Sequence, residues 1–342
     1  MNKALKEWLA LPGETKKNIF IEVGNKSGFP PFSVEKDWWV VKTLDVLFTT
    51  EIADHTVFKG GTSLSKAWRL IERFSEDIDL ALDRKFLGFD KEMTKSQVKK
   101  LRKRSFKYIS ENYFQLLEKA FQHYGLNDVE LKLSEPTASD QDPLIIEIHY
   151  PVLVEKSDYI QSHISVEIGS RSLKEPYTLK EFSTLVGEYY PDKAFADANI
   201  SIPTVNPERT FLEKIFLIHE EFQKPADRIK VNRLSRHLYD IERIMDTEFA
   251  DKALSKMDLY QNIVDHRKTF TAVRGIDYAN HTPEKLNLIP PESVLNEWKK
   301  DYKIMQENMI YGESLIFENL LDRIKILNNR IKEFTTKEQD HG

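Results

Sequence analysis

Cysteine is absent from all 342 residues. That removes disulfides, thiolate metal sites, iron–sulfur clusters and cysteine nucleophiles together. A surplus of positive charge is missing too. Lys and Arg number 50 against 55 Asp and Glu, for a net charge of −5, so no global field favours nucleic acid and any such binding must use local patches. No apolar run reaches the ~18 residues of a membrane helix, and Met1–Glu7 leads into no signal-peptide core. The expectation is a soluble, cytoplasmic protein with no membrane segment. Internal repeats and low-complexity tracts are lacking as well. What is present is 40% hydrophobic residues beside 31% charged ones, enough for a sizeable core. At roughly 150 residues per domain the length suggests two domains.

Periodicity orders the chain. A helix is expected after Phe29-Pro30-Pro31-Phe32, capped by Ser33, with Trp38, Val41, Leu44 and Phe48 at helical spacing. The β-like run Thr56-Val57-Phe58 meets Lys59-Gly60-Gly61-Thr62, and Leu64, Ala67, Trp68 and Ile71 predict a helix just beyond. Asp77–Leu82 alternates as a strand with Ile78, Leu80 and Leu82 on one face, and further strands are expected at Val129–Leu133, Leu144–Tyr150 and His163–Ile168. A boundary falls near Ser201–Pro207. Beyond it, Asn206 and Pro207 open a helix through Phe222, Asn232–Asp246 is a second, and Glu292–Tyr311 and Glu313–Phe334 are two long ones around Gly312. Leu320, Ile324, Leu327 and Ile331 form a seam that either packs on a neighbouring helix or binds a partner protein. The fold class read from this order is α+β: a mixed β-sheet domain flanked by helices over 1–205, then an all-helical domain over 206–342.

The chemistry concentrates in Phe58–Leu64 and Arg73–Leu80. Two glycines between strand and helix let the backbone turn tightly and approach a ligand. The free N–H groups at the helix start, with the hydroxyls of Thr62 and Ser63, would form an anion site; ordinary strand-to-helix turns look the same. Asp77 and Asp79, two apart on a strand, face one side while Ile78 and Leu80 face the core. Neighbouring carboxylates repel unless a cation sits between them, and Mg²⁺ shares such oxygen ligands with substrate phosphates. The alternative is a solvent-facing strand whose acids pair with Arg69 or Arg73. Glu167 alternates away from the apolar face as the two aspartates do, and would complete a two-metal site as a third acid; Glu147 is its rival. Arg171 could reach a phosphate or pair with an acid.

Glycine turn, D-x-D strand and a later third acid together resemble the nucleotidyltransferase superfamily of DNA polymerase beta. The fuller run GGTSLSKAWRLIERFSEDIDL resembles the abortive-infection nucleotidyltransferase toxin family AbiEii/AbiGii, with its GGT-x-L and R-x-S-x-D-x-D elements. Glu35-Lys36-Asp37-Trp38-Trp39 is similar to the E-K-D-aromatic helix that precedes them there, and the resemblance extends over about Ser33–Met245. It implies that Gly60, Gly61, Thr62, Ser63 and Arg73 bind the nucleotide and that Asp77 and Asp79 hold Mg²⁺ with a third acid from the region of the later strands, read as Glu167 with Glu147 as its rival.

Two later helices carry further candidates. Lys214 lies at the edge of the apolar stripe Phe211, Ile215, Ile218, Phe222, where a lysine either snorkels its head outward or meets an anion. Arg209–Lys214 resembles the family helix whose lysine contacts the nucleotide phosphates. Arg233, Arg236, Asp240 and Arg243 form a ridge open to i,i+4 pairing of Arg236 with Asp240. By resemblance, Arg236-His237-Leu238-Tyr239-Asp240-Ile241 makes Asp240 a functional residue orienting Lys214 or Arg236, while Arg236 neutralises the triphosphate. Lys91–Lys107 holds eight basic residues and one acid, Glu92, either a solvated helix face or an RNA contact. Phe106, Tyr108 and Tyr113 would then stack bases or belong to the core.

The reading is nucleotidyl transfer from an NTP, bound in a cleft between the two domains, to an acceptor hydroxyl. The resemblance implies a toxin of a toxin–antitoxin or phage-defence system, a separately encoded antitoxin partner, and the 3′ end of tRNA as acceptor. A protein nucleotidylyltransferase and a non-catalytic nucleotide-responsive interaction module are the alternatives.

Overall fold

The computed structural model describes residues 2–91, 93–155, 161–172, 174 and 176–339. Glu92, the one acid of the basic run, lies outside them. The chain divides into two units, Met1–Trp68 with Phe74–Val205, and Arg69–Arg73 with Asn206–Gly342.

The first unit opens with three helices, α1 (Lys3–Ala10), α2 (Gly13–Ser27) and α3 (Pro31–Leu47). The first two were not anticipated. α3 starts earlier than its expected Ser33 cap: Pro30 takes the cap position, and Ser33 is buried within the helix. Pro31 suits the first turn because the N–H it lacks would have no helical partner there. Next come β1 (Thr56–Lys59) and α4 (Gly60–Thr62), which runs on as a π turn over Ser63–Ala67. The helix stops short of the expected Ile71 because Arg69 adopts a left-handed φ of 54°. β2 (Ile78–Leu82), α5 (Lys95–Lys107), α6 (Phe114–His123), β3 (Glu130–Leu133), β4 (Leu144–His149), β5 (His163–Gly169), β6 (Tyr177–Phe182), α7 (Leu185–Tyr189) and β7 (Ile200–Val205) complete the unit.

The seven strands form one mixed sheet in the order β3-β4-β5-β2-β1-β7-β6. β2 runs parallel to β5 and antiparallel to β1. One face carries the buried side chains of Ile78, Leu80, Ile146, Ile148, Ile164, Val166 and Ile168, each worth about 1.5–3 kcal/mol of burial. Strand alternation therefore sends Asp79, Glu147, His149, His163 and Glu167 to the opposite face.

The second unit is helical. α8 (Pro207–Phe222), α9 (Ser235–Ile244), α10 (Glu248–Leu254), α11 (Met257–His266), α12 (Leu295–Asn308) and α13 (Phe317–Gln339) build it; α10 and α11 were not anticipated. Leu320, Ile324, Leu327 and Ile331 are all buried, so the seam on α13 is core of its own unit. The segment from Arg69 to Arg73 joins this unit: Glu72 O accepts the Tyr311 N–H at 3.1 Å, and Arg73 bridges Ile310. Among the described residues, no helix is long and apolar enough to cross a membrane.

Candidate active site

Gly60 is where the backbone and a carboxylate meet. Its φ is +80°, and a Cβ built on it would lie 1.9 Å from Asp79 Oδ2. Only glycine tolerates both the left-handed backbone and that approach. Register adds the next acid, because Asp79 sits beside Glu167 across the parallel β2–β5 pair and opposite Lys59 across β1–β2. Asp77 falls one residue before β2, and its carbonyl accepts a hydrogen bond from Thr62 Oγ1 at 2.5 Å.

Glu147, the rival third acid, is aligned with Ser165 rather than Glu167. It accepts from Ser134 Oγ at 2.7 Å, which is the main reason its carboxyl lies below the usual range. Thr62 and Ser63 are both buried, and Ser63 Oγ donates to Gly60 O at 2.9 Å. Their side chains are thus tied to the turn itself and to the Asp77 carbonyl.

The E-K-D helix explains how turn and acids keep their places. Every residue of α3 from Ser33 to Leu44 is buried, because α2, α6, α7 and β5 pack around it. Charges there survive only when paired. Lys36 Nζ lies 2.6 Å from Glu76, the residue before Asp77, and donates to Gln161 O at 2.6 Å. Asp37 pairs with Lys66, in the π turn after the glycines, at 2.7 Å. Glu35 accepts the Leu153 N–H at 2.8 Å, and burial pushes its carboxyl up to about 7. These bracing roles were missed by reasoning from the residues. The available signal was three consecutive charges inside a segment apolar on every side.

A second constellation lies in the helical unit. Asp240 on α9 is fully buried and takes Arg73 in a bidentate pair, Nε to Oδ1 at 2.7 Å and Nη2 to Oδ2 at 2.8 Å. Lys214 on α8 reaches the same carboxylate at 2.8 Å and lies 3.4 Å from His237 Nδ1. Burial opposes the ionised acid, but Arg73 and Lys214 outweigh it and hold the Asp240 carboxyl well below the usual carboxylate range. Burial pushes the Lys214 ammonium down, against the pull of Asp240. It also drives His237 well below its ordinary value, helped by Lys214 and Arg236. Two cations on one anion leave the cluster with surplus positive charge. Lys214 thus meets an anion instead of snorkelling. Arg73, expected at the nucleotide, is buried with its guanidinium on Asp240.

The sequence profile of the nucleotidyl transferase AbiEii toxin family, of type IV toxin–antitoxin systems, matches residues 44–323. The chain belongs to this family. Among curated proteins none matches it. Among solved structures it is similar to MenT4, a nucleotidyltransferase toxin from Mycobacterium tuberculosis H37Rv, with a TM-score of 0.43 and 16% identity over 93% of this chain and 99% of that one. It is also similar to JHP933 from Helicobacter pylori, with a TM-score of 0.40 and 13% identity over 88% and 93% of the two chains.

In this AbiEii-family toxin the remaining candidates sort by their contacts. Arg171 pairs with Asp142, on its carbonyl and at 3.6 Å from its carboxylate, so it takes the acid-pairing reading. Arg243 meets Glu72 at 2.9 Å, and the Arg233 N–H donates to Asp301 at 2.6 Å. The basic run forms α5, started by a Thr94–Gln97 capping box. It buries Val98, Leu101 and Ser105 while exposing Lys95, Lys99, Lys100, Lys103, Arg104 and Lys107. Tyr113 is core, and Tyr108 donates to Glu51 at 2.5 Å.

Proposed function

We propose that this chain moves a nucleotidyl group from an NTP to an acceptor hydroxyl, with the 3′ end of tRNA as acceptor and arrested translation in the cytoplasm as the outcome, in phage defence. The observation that carries the reading is the register of Asp79 with Glu167, beside a glycine turn closed against the Asp79 carboxylate. The acceptor oxygen bonds to the α-phosphorus. The bond from that phosphorus to the bridging oxygen breaks, and pyrophosphate leaves with the electron pair. Glu167 orients the acceptor and receives its proton.

Asp77, Asp79 and Glu167 offer only hard oxygen donors, which fits Mg²⁺. When bound there, the ion would offset charge on the reacting phosphate. Gly60 and Gly61 offer backbone N–H groups to phosphate oxygens. Lys214, oriented by Asp240, and Arg236 contribute positive charge toward the triphosphate, so that catalysis is mostly positioning and electrostatics. The exposed cations of α5 favour RNA over a protein side chain as acceptor.

Purified protein, Mg²⁺, each labelled NTP separately and bulk tRNA test this directly. One NTP should lengthen tRNA on a denaturing gel. Asp79→Asn should lower the rate by about three orders of magnitude or more with an unchanged circular dichroism spectrum. Label entering total protein instead of RNA would indicate a protein nucleotidylyltransferase, and NTP binding without pyrophosphate release an interaction module. Unaltered turnover in Asp79→Asn defeats the site assignment.

A further inference from the structure

One polar cluster on the sheet joins Glu147 to two histidines that the nucleotidyl-transfer reading does not use. Glu147 and His149 lie two apart on β4 and share a face, and the β4–β5 register sets His149 directly opposite His163. Glu147 Oε2 is 2.9 Å from His149 Nε2. The two imidazole rings sit 5.0 Å apart at 37°, and one ligand atom from each of the three residues lies within 4.8 Å of the others. His163 and Glu167 are four residues apart on β5, about 13 Å along an extended strand. The two histidines therefore lie away from the carboxylates beside Gly60, while Glu147, aligned with Ser165, is one diagonal step from Glu167.

We infer that Glu147, His149 and His163 form a transition-metal site whose ion is Zn²⁺. The donor set decides the metal class. Two imidazoles and one carboxylate suit zinc and its neighbours, whereas Mg²⁺ prefers an all-oxygen octahedron. Tetrahedral zinc at about 2.0–2.1 Å from each ligand spaces the ligand atoms about 3.3–3.5 Å apart. The three partly buried side chains hold one ligand atom each within 4.8 Å of the others, so the set must close inward by about an ångström to meet that spacing.

The surroundings are those of a ligand set. Ser134 Oγ donates to Glu147 Oε1 at 2.7 Å, which fixes the carboxylate with its other oxygen toward His149. Lys132, the register partner of Glu147 on β3, places its ammonium 3.1 Å from Glu130. Three protein ligands leave a fourth position for water, and the ion ties the end of β4 to the start of β5.

The full-length chain, stripped with a chelator, is titrated with ZnCl₂ in a calorimeter in the presence of excess Mg²⁺. The expected result is one Zn²⁺ per chain with a dissociation constant of about 1 μM or below. His149→Gln and His163→Gln each weaken binding by about tenfold or more, while Asp77→Asn/Asp79→Asn leaves it unchanged. X-ray absorption of the zinc-loaded wild type should show two imidazole scatterers, a readout that needs no variant and stands if a histidine variant misfolds. Wild type that takes up no stoichiometric zinc overturns the inference. So does zinc that persists in both histidine variants and vanishes with Asp77→Asn/Asp79→Asn. The readout is metal binding and not transfer, so its failure and that of the nucleotidyltransferase reading are distinguishable.

Discussion

Gly60→Ala places one methyl group where Asp79 lies. The new Cβ would come 1.9 Å from Asp79 Oδ2 and 2.8 Å from its Cγ, far inside van der Waals contact, so the carboxylate must swing away by more than about 1 Å. Two costs arise, and they separate. The left-handed backbone costs about 1–2 kcal/mol in any non-glycine residue. Gly28 supplies the matched control: its φ is +81°, and nothing lies within 4 Å of its Cβ position, so Gly28→Ala carries the strain alone. Displacing a group at the reacting centre by about 1 Å costs on the order of 10²-fold in rate.

Urea unfolding should therefore show similar losses of about 1–2 kcal/mol for both variants. NTP-dependent transfer should fall about 10²-fold in Gly60→Ala and stay at the wild-type level in Gly28→Ala. Wild-type turnover in Gly60→Ala would refute the reasoning, because Asp79 would then be free to move without consequence. Equal loss of turnover in both variants would blame backbone strain instead of the carboxylate.

Asp240→Asn strands two buried cations, Lys214 and Arg73, and should cost about 3–5 kcal/mol in urea unfolding; a cost below about 1 kcal/mol would mean that the trio is relaxed by water. The acid limb supplies the sign. The Asp240 carboxyl is depressed in the fold, so its stabilisation is complete above the ordinary value of about 4 and is lost as pH falls through the lower folded value. The Asn variant should lack that loss. Glu35 runs the other way: its carboxyl rises from 4.5 to about 7, so the fold holds the proton more tightly. Its contribution is full below about 4.5 and declines by at most about 3 kcal/mol as pH rises to 7. Glu35→Gln should remove that slope, and parallel stability curves for variant and wild type between pH 5 and 7 would contradict the assignment.

The parts of the fold legible in the sequence are those where burial is one-sided. β4 and β5 alternate because one face is core and the other is not, and β2 does so at Asp79, although Ala81 on the same face is buried. β6 escaped notice because Tyr177–Lys180 and Glu181 at the sheet edge are largely uncovered, so no apolar alternation was selected. β7 is interrupted by Pro203, aligned with Leu179 of that edge strand, and a proline there reads as a boundary. At the candidate site, the glycine turn and the D-x-D strand stood out by residue type and spacing, and the structure brings Gly60 against Asp79. Contacts between residues distant in sequence were not legible. Arg73 meets Asp240 across 167 positions, and nothing local to either residue records that pairing. Nor was it legible that the hydroxyls of Thr62 and Ser63 bond to backbone carbonyls of the turn and of Asp77, since a short range hides whether a polar group turns inward.

One turn of α3 grips both the segment before the D-x-D strand and the turn after the glycines: Lys36 holds Glu76 and Asp37 holds Lys66. Substitutions at positions 66 and 76, on either side of Trp68 and Arg69, are therefore epistatic through a helix that neither belongs to. Grafting the GGT and D-x-D segments onto another scaffold without that helix would transplant the side chains but not their aim.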